Sequence, residues 1–180
     1  MRFAMRSVDP AGRRTLRREG RVGTRSARLA TIAHQGSIRV PAMPDRDPDC
    51  LFCKIVAGEI PSTRVAEDEH TVAFMDINPA TRGHAIVVPR RHSVDLLTID
   101  DDDLAACTAM AKRVAARAKD ALGADGVNLL NCCGAEAWQT VFHFHLHVVP
   151  RYADDPLRLP WIPAPGDSDA IAAAGAELAF

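Results

Sequence analysis

The chain is best interpreted from one run in its last third, Val141-Phe142-His143-Phe144-His145-Leu146-His147-Val148-Val149-Pro150-Arg151. Three histidines alternate there with apolar residues, and successive side chains of a β-strand point to opposite faces. We therefore expect the histidines on one face of a strand and the apolar residues on the other, packed against a core. The pattern ends at Pro150 because proline cannot donate to a sheet ladder.

Three histidines on one face indicate chemistry, since an imidazole is costly to bury without polar partners. The run fits either a metal site or a nucleophile with supporting residues. With a strand rise of about 3.3 Å per residue, His143 and His147 begin about 13 Å apart, whereas zinc–nitrogen bonds are about 2.0–2.1 Å long. All three cannot easily converge on one ion, although one or two could ligate a metal and leave the others for chemistry.

Together with its context, the run resembles the His-φ-His-φ-His-φ-φ motif of the histidine triad (HIT) superfamily of nucleotide hydrolases and transferases. Phe74-Met75-Asp76-Ile77-Asn78-Pro79 resembles the ribose-binding segment of that family. The segment from Gly83 to His92 resembles its next strand and turn. The resemblance covers the chain from about Cys50 to Arg151.

The resemblance implies a set of residues that bind the nucleotide and its phosphate. A carboxylate can accept hydrogen bonds from two vicinal hydroxyls, which suits the acidic residue of this set, although the same residue could equally cap the turn at Asn78-Pro79. Trp138 stands where the family usually has glycine, and its indole could line the pocket or stack on a base. The implied binding residues are Asp76, Ile77, Asn131, Gln139 and Thr140.

The resemblance also implies a mechanism in which His145 attacks the α-phosphorus and water then hydrolyses the nucleotidyl-histidine. One ring nitrogen of His145 attacks only if the other keeps its proton, so a nearby backbone acceptor or His84 must fix the tautomer. His147 would contact the phosphoryl oxygens or protonate the leaving group. His84 could support these residues, or it could simply be a histidine at the start of a strand. No catalytic cofactor is required.

A Cys-x-x-Cys pair, Cys50 and Cys53, precedes these motifs. Alone it fits zinc, redox chemistry or two buried free thiols. Some branches of the family combine such cysteines with a later histidine and with the first triad histidine, which here are His92 and His143. Two thiolates and two imidazoles are typical of structural zinc sites, so the resemblance implies structural Zn²⁺.

Two further functions remain open. The chain could be a zinc-dependent hydrolase that uses the triad as metal ligands, or a nucleotide-binding protein without catalysis. The resemblance favours a purine nucleotide or nucleotide conjugate as the ligand and a homodimer with sheets joined across the subunits. Phosphoramidates, dinucleoside polyphosphates and aminoacyl adenylates all remain candidate substrates.

Charge and cysteine use restrict the class of protein. Residues 1–42 contain ten arginines and two acidic residues, a net charge of +8, whereas the remainder has 12 basic and 21 acidic residues, a net charge of −9. An acidic body argues against a nucleic-acid partner. Five cysteines, an odd number, argue against a secreted disulfide framework and favour the cytoplasm. No apolar run is long enough to span a membrane.

The chain divides into three parts in this interpretation. Residues 1–42 are expected to be a basic, disordered extension, or to precede the true start at Met43. Residues 43–152 form the catalytic domain, and residues 153–180 form a Pro-rich tail with a short terminal helix. The resemblance implies an α+β fold with a sheet of about five antiparallel strands, one long helix and one short helix. The long helix is predicted over 98–122, capped by Thr98 or Asp100, with a solvated acidic first turn and Gly123 as its stop.

Overall fold

The computed structural model describes residues 46–158 and 162–180. The basic extension predicted for residues 1–42 lies outside the described residues. The limits of the domain at 43–152 and of the tail at 153–180 remain predictions. No helix among the described residues is long and apolar enough to cross a membrane.

Three helices and five strands make up the described fold, which confirms the α+β prediction. The strands form one antiparallel sheet in the order β1-β2-β3-β5-β4. In chain order the elements are α1 (Leu51–Val56), β1 (Arg64–Glu67), β2 (Thr71–Met75), β3 (Ala85–Pro89), α2 (Asp101–Leu122), β4 (Gly126–Leu130), a 3₁₀ turn (Ala135–Ala137), β5 (Leu146–Arg151) and α3 (Ser168–Leu178).

The triad strand is shorter than the sequence pattern predicts. The strand β5 begins at Leu146, so His143 and His145 precede it and only His147 lies within it. The backbone N–H of Phe144 donates to the Ser93 carbonyl at 2.6 Å, which ties this part of the chain to the loop after β3 instead of to a ladder. The alternation of side chains nevertheless persists, and the first two histidines are held by tertiary contacts.

Capping residues define both ends of the long helix. The Asp100 side chain accepts from the Asp102 backbone N–H, so Asp100 is the N-cap, and Gly123 ends the helix in the left-handed conformation at φ 69°. The acidic first turn is only partly solvated, contrary to the sequence prediction. Asp103 is buried because Arg91 reaches it, with Nε 2.8 Å from Oδ2.

Each face of the sheet has its own core. On one face, α2 packs against the alternating apolar residues of the triad segment, Phe144, Leu146 and Val148, all buried. On the other face, α1 packs through Phe52 against Phe74. The histidines that alternate with the first set are therefore directed toward the α1 side, where the candidate site lies.

Candidate active site and metal-binding cluster

A cavity of about 350 Å³ opens on the α1 side of the sheet. It combines apolar walls with a few polar groups, as ligand pockets usually do. His145 and His147 lie in it together, with ring centroids 4.9 Å apart. The apolar walls include Phe52, Phe74 and Ile86, and the polar lining includes Asp76, Thr140 and both histidines.

The tautomer of His145 is set by the backbone. Its Nδ1 lies 2.6 Å from the carbonyl oxygen of His143, and a carbonyl can only accept, so Nδ1 carries the proton. The lone pair is left on Nε2. From the sequence, either the backbone or His84 could fix this tautomer, and in the structure the backbone carbonyl fixes it. Asn131 holds the backbone of His145 itself, because its Nδ2 donates to the His145 carbonyl at 2.9 Å.

His84 contacts the third histidine of the triad. The backbone N–H of Ala80 donates to His84 Nδ1 at 3.1 Å, so His84 carries its proton on Nε2. That proton is donated to His147 Nδ1 across 2.9 Å. His147 consequently keeps its own proton on Nε2 as a neutral imidazole. A backbone amide thus fixes two successive ring tautomers.

Asp76 divides its two oxygens between the turn and the cavity. Its Oδ1 accepts from the Asn78 backbone N–H at 2.8 Å, which is the turn cap considered from the sequence. Its Oδ2 lies 3.6 Å from His84 Nδ1 and 4.0 Å from His147 Nδ1, beyond hydrogen-bond distance. One oxygen is therefore left to accept from a ligand. The neighbouring Ile77 is exposed and lines the same cavity.

The residues implied as phosphate contacts lie in different environments. Thr140 is exposed and lines the cavity. Gln139 is buried, and its amide braces the loop: Oε1 accepts from the Gly134 N–H at 2.8 Å and Nε2 donates to the Val94 carbonyl at 2.7 Å. Asn131 Oδ1 is buried without a hydrogen-bond partner. The phosphate roles of these residues remain predictions.

Trp138 has an uncommon backbone conformation for a bulky residue. Its φ is 70°, the left-handed region in which glycine is favoured, and it is the one non-glycine residue in the described parts with positive φ. Its side chain is 72% exposed. The indole therefore lies on the surface of the loop and does not line the cavity.

The four residues implied as zinc ligands come together in a buried cluster, which we call the Cys₂His₂ cluster: Cys50, Cys53, His92 and His143. His143 Nδ1 is 3.4 Å from the Cys50 sulfur and 3.5 Å from the Cys53 sulfur, and His92 Nδ1 is 3.4 Å from the Cys53 sulfur. Ligands on a tetrahedral zinc, with bonds of about 2.1 and 2.3 Å, are about 3.6 Å apart. The donor set and its spacing thus fit Zn²⁺.

A second contact orients the ring of His143 in this cluster. Its Nε2 donates to the Pro89 carbonyl at 3.1 Å, which leaves Nδ1 free to face the thiols. A ligating histidine usually donates its other ring N–H in this way. The first histidine of the triad is therefore turned toward the Cys₂His₂ cluster and away from the cavity.

The triad histidines do not gather around one metal position. Among the described residues, two groups of side chains are close enough to share an ion. One contains His143 with the two cysteines, and the other contains His147 with Asp76 and His84. Neither group contains His145. In the second group, the facing nitrogens of His84 and His147 already bond to each other. This geometry separates the residues that a triad-based metal hydrolase would need together.

Burial keeps the cavity histidines neutral. It lowers the pKa of His147 to about 4, with His145 and His84 adding smaller repulsion. Burial likewise lowers the pKa of His145 and of His84, against the opposing field of Asp76. At neutral pH these imidazoles are uncharged, as a nucleophile and its hydrogen-bonded neighbours require.

Sequence reasoning missed one neighbour of the nucleophile candidate. Phe52 stands edge-on to the His145 ring, with centroids 5.2 Å apart and an interplanar angle of 86°. It lies between the two cysteines of the Cys-x-x-Cys pair, so the same helix that supplies thiols to the cluster also supplies a wall of the cavity. In the sequence, only the apolar character of Phe52 indicated a place beside the nucleophile candidate, and an apolar residue is equally well explained as part of the core.

Comparisons with known proteins agree with this fold. Residues 57–154 match the model of the HIT domain. The chain is 45% identical over 103 residues to an uncharacterized HIT-like protein of Mycoplasma genitalium, an alignment that covers 57% of this chain and 73% of that protein.

Solved structures give the same result. A Zn-bound histidine triad family protein from Mycobacterium smegmatis is 44% identical, with a TM-score of 0.60, and 64% of this chain and 84% of that one are covered. A histidine triad nucleotide-binding protein from Candida albicans is 30% identical, with a TM-score of 0.63, over 72% and 94%.

The five-stranded α+β fold and the paired histidines in its cavity define a protein of the nucleotide-binding or nucleotide-hydrolase type. The chain belongs to the HIT domain family, as the resemblance predicted.

Proposed function

We propose that the protein hydrolyses a nucleotide conjugate at its α-phosphorus through a nucleotidyl-histidine on His145. The observation that carries this proposal is the 2.6 Å contact from His145 Nδ1 to the His143 carbonyl, which reserves the Nε2 lone pair for attack. Phosphoramidates and dinucleoside polyphosphates are the substrate types that this chemistry serves.

The first step forms a bond between His145 Nε2 and phosphorus and breaks the bond from phosphorus to the leaving group. His147 lies beside His145 and carries its proton on Nε2. It passes that proton to the departing amine or alkoxide, which is a stronger base than imidazolate, and His147 stays deprotonated until the second step. In the second step, water replaces the imidazole on phosphorus and His145 is regenerated. A proton from that water returns to His147.

The ligand would occupy the cavity in a defined orientation. Asp76 Oδ2 would accept from the ribose hydroxyls, with Ile77 beside it at the cavity edge, and the apolar walls would contact a purine base. Thr140 and the backbone amides of residues 131–140 would lie on the phosphate side, with Gln139 bracing that loop. A purine nucleotide is the partner that these contacts favour.

The Cys₂His₂ cluster would hold structural zinc. When bound, the ion would fasten α1 and the loop after β3 to the triad segment, and it would take no part in the chemical steps. Cys50, Cys53, His92 and His143 would be its ligands. Because the carbonyl of His143 accepts the hydrogen bond from His145 Nδ1, a fixed His143 also fixes the nucleophile.

We further propose a homodimer joined along β4. This strand is at the edge of the sheet, and Leu129 and Leu130 on it are 45% and 51% exposed. An exposed edge strand is a template for pairing with another chain. Sedimentation of native protein beside Leu129→Lys would test this interface, since a charge on an edge strand opposes pairing.

Rapid-quench mass spectrometry with an adenosine phosphoramidate tests the catalytic proposal. Native protein should show a transient adduct of one nucleotidyl group, and His145→Ala should show none, whereas His70→Ala, on an exposed loop, should behave as native. Turnover that is abolished by a chelator and restored by metal, with no adduct, would instead support the zinc-dependent hydrolase. Tight AMP binding with neither adduct nor turnover would support a binding protein.

A further inference from the structure

A second and larger cavity lies on the opposite side of the sheet from the nucleotide site. It has a volume of about 700 Å³ and runs between α2 and strands β1 to β3. We call it the α2 groove. Its floor is apolar and includes Val65, Ala66, Met75, Val114, Ala118 and Leu122. The proposed chemistry makes no use of it.

Three arginines line the α2 groove in addition to this apolar floor: Arg82, Arg113 and Arg117, all exposed. Arg113 is anchored by Asp68, whose Oδ2 is 2.5 Å from Nη2. The groove therefore combines an apolar floor with a positively charged rim. Such a surface suits an apolar segment that carries negative charge.

The C-terminal helix α3 has those properties. Ile171, Ala174, Gly175 and Leu178 recur at three- and four-residue spacing and so share one face. Ile171 is 62% exposed and Leu178 77% exposed, and no side chain of α3 is buried. Because an isolated helix of this length is only marginally stable in water, its apolar face calls for a surface to pack on.

The charges of the two surfaces are complementary. Residues 162–180 contain Asp167, Asp169 and Glu177 and no lysine or arginine. Asp169 and Glu177 lie outside the apolar face, where long arginine side chains at a groove rim can reach them, and Asp167 is the N-cap of the helix. The small residues Ala174 and Gly175, between the two large ones, allow the helix backbone to approach the floor closely.

We infer that α3 of one chain packs into the α2 groove of a second copy, with the exchange made reciprocally. Within one chain the two surfaces do not meet, because no residue of α3 lines the groove. Every copy carries both surfaces, so a reciprocal exchange between two copies leaves neither surface uncovered.

The connection to α3 is long enough for such an exchange. The tail is held to the body as far as Leu157, whose carbonyl accepts from Arg151 Nη2 at 3.1 Å. The nine residue steps from Arg158 to Asp167 can span up to about 30 Å. The helix can therefore leave its own body and reach another.

Photocrosslinking in isotope-mixed samples tests the partner. Full-length chains with a photoreactive benzoylphenylalanine at position 171, one half of them ¹⁵N-labelled, should give mixed-isotope crosslinked peptides that contain the groove residues of β1, β2 or α2. The same probe at position 176, on the opposite face of α3, should give at least tenfold less. Crosslinks confined to one isotope would mean that α3 docks on its own chain and would overturn the inference, as would crosslinks elsewhere or none.

Amide hydrogen exchange supplies a matched pair of variants. Ala174→Glu places a charge on the apolar face of α3, and Ala176→Glu places the same charge on the opposite face. We expect protection of the α3 amides to fall at least tenfold in the first variant and to stay within twofold of native in the second. Equal behaviour of the two variants would contradict docking through this face.

Discussion

The ring of His143 faces the sulfurs of Cys50 and Cys53, while its carbonyl oxygen lies 2.6 Å from Nδ1 of His145. One residue thus belongs to the Cys₂His₂ cluster through its side chain and to the candidate active site through its backbone. The position of the proposed nucleophile therefore depends on a residue whose side chain is fixed elsewhere.

Loss of the proposed structural zinc should consequently affect both stability and turnover. A ligand that binds only the native state stabilises it by about 2.7 kcal/mol at a free concentration of 100 times Kd. We expect chelation, or Cys53→Ser, to lower the free energy of unfolding by about that amount or more, and to slow adduct formation. Thermal unfolding with parallel zinc analysis measures this, and Cys132→Ser is the control. Unchanged unfolding in Cys53→Ser would contradict a structural metal.

The bond from His84 to His147 leads to a prediction about leaving groups. His147→Asn removes the proposed acid and should slow hydrolysis of an alkyl phosphoramidate by about 10²–10⁴-fold. With a p-nitrophenyl ester of AMP, whose leaving group departs without protonation, the loss should be less than tenfold. His84→Ala should show the same difference between the two substrates with smaller losses of rate, because it removes only the donor that fixes the His147 tautomer. Equal losses on both substrates would exclude the acid role.

The pKa of His147, lowered to about 4 by burial, makes stability depend on pH. Between about pH 6.5 and pH 4 the unfolded chain binds a proton at this residue and the native chain does not, so the free energy of unfolding falls as the pH is lowered through this range. A pKa shift of this size corresponds to a change of roughly 3 kcal/mol in the free energy of unfolding.

Denaturant unfolding at pH 7, 5.5 and 4 measures this effect. His147→Gln, which cannot titrate, should lose less stability over the range than native protein. A His147→Gln profile parallel to the native one would contradict the prediction.

Trp138 leads to a prediction about the loop before Gln139. Its φ of 70° costs roughly 1–2 kcal/mol for a residue with a Cβ, and its exposed indole recovers little by packing. Trp138→Gly should therefore raise the free energy of unfolding by about 1 kcal/mol, whereas Trp138→Ala keeps the Cβ and should not. Comparison of the two variants by urea denaturation separates backbone strain from loss of the ring.

Much of the architecture was accessible from the sequence because it follows from local periodicity. The alternation around His145 places Phe144 and Leu146 in the core, and the Asp100 and Gly123 signals fix the ends of the long helix. The start of β5 was placed too early, because the bond from Phe144 N–H to the Ser93 carbonyl joins residues 51 apart in the chain, and no local pattern encodes it. The burial of Asp103 was missed for the same reason.

The sequence by itself determined the set of chemical groups: three alternating histidines, a Cys-x-x-Cys pair, and Asp76 at the end of a strand. These depend on residue type and spacing, which the chain carries directly. Only the tertiary structure decided their assignment. In the folded chain the ring of His143 faces the thiols. A backbone carbonyl sets the tautomer of His145, and His84 sets that of His147. Both ends of the Gln139 side-chain amide are hydrogen-bonded. Hydrogen bonds between segments that are distant in the chain fix these orientations. Each such bond depends on the direction of a lone pair in the folded structure, which the order of residues does not show.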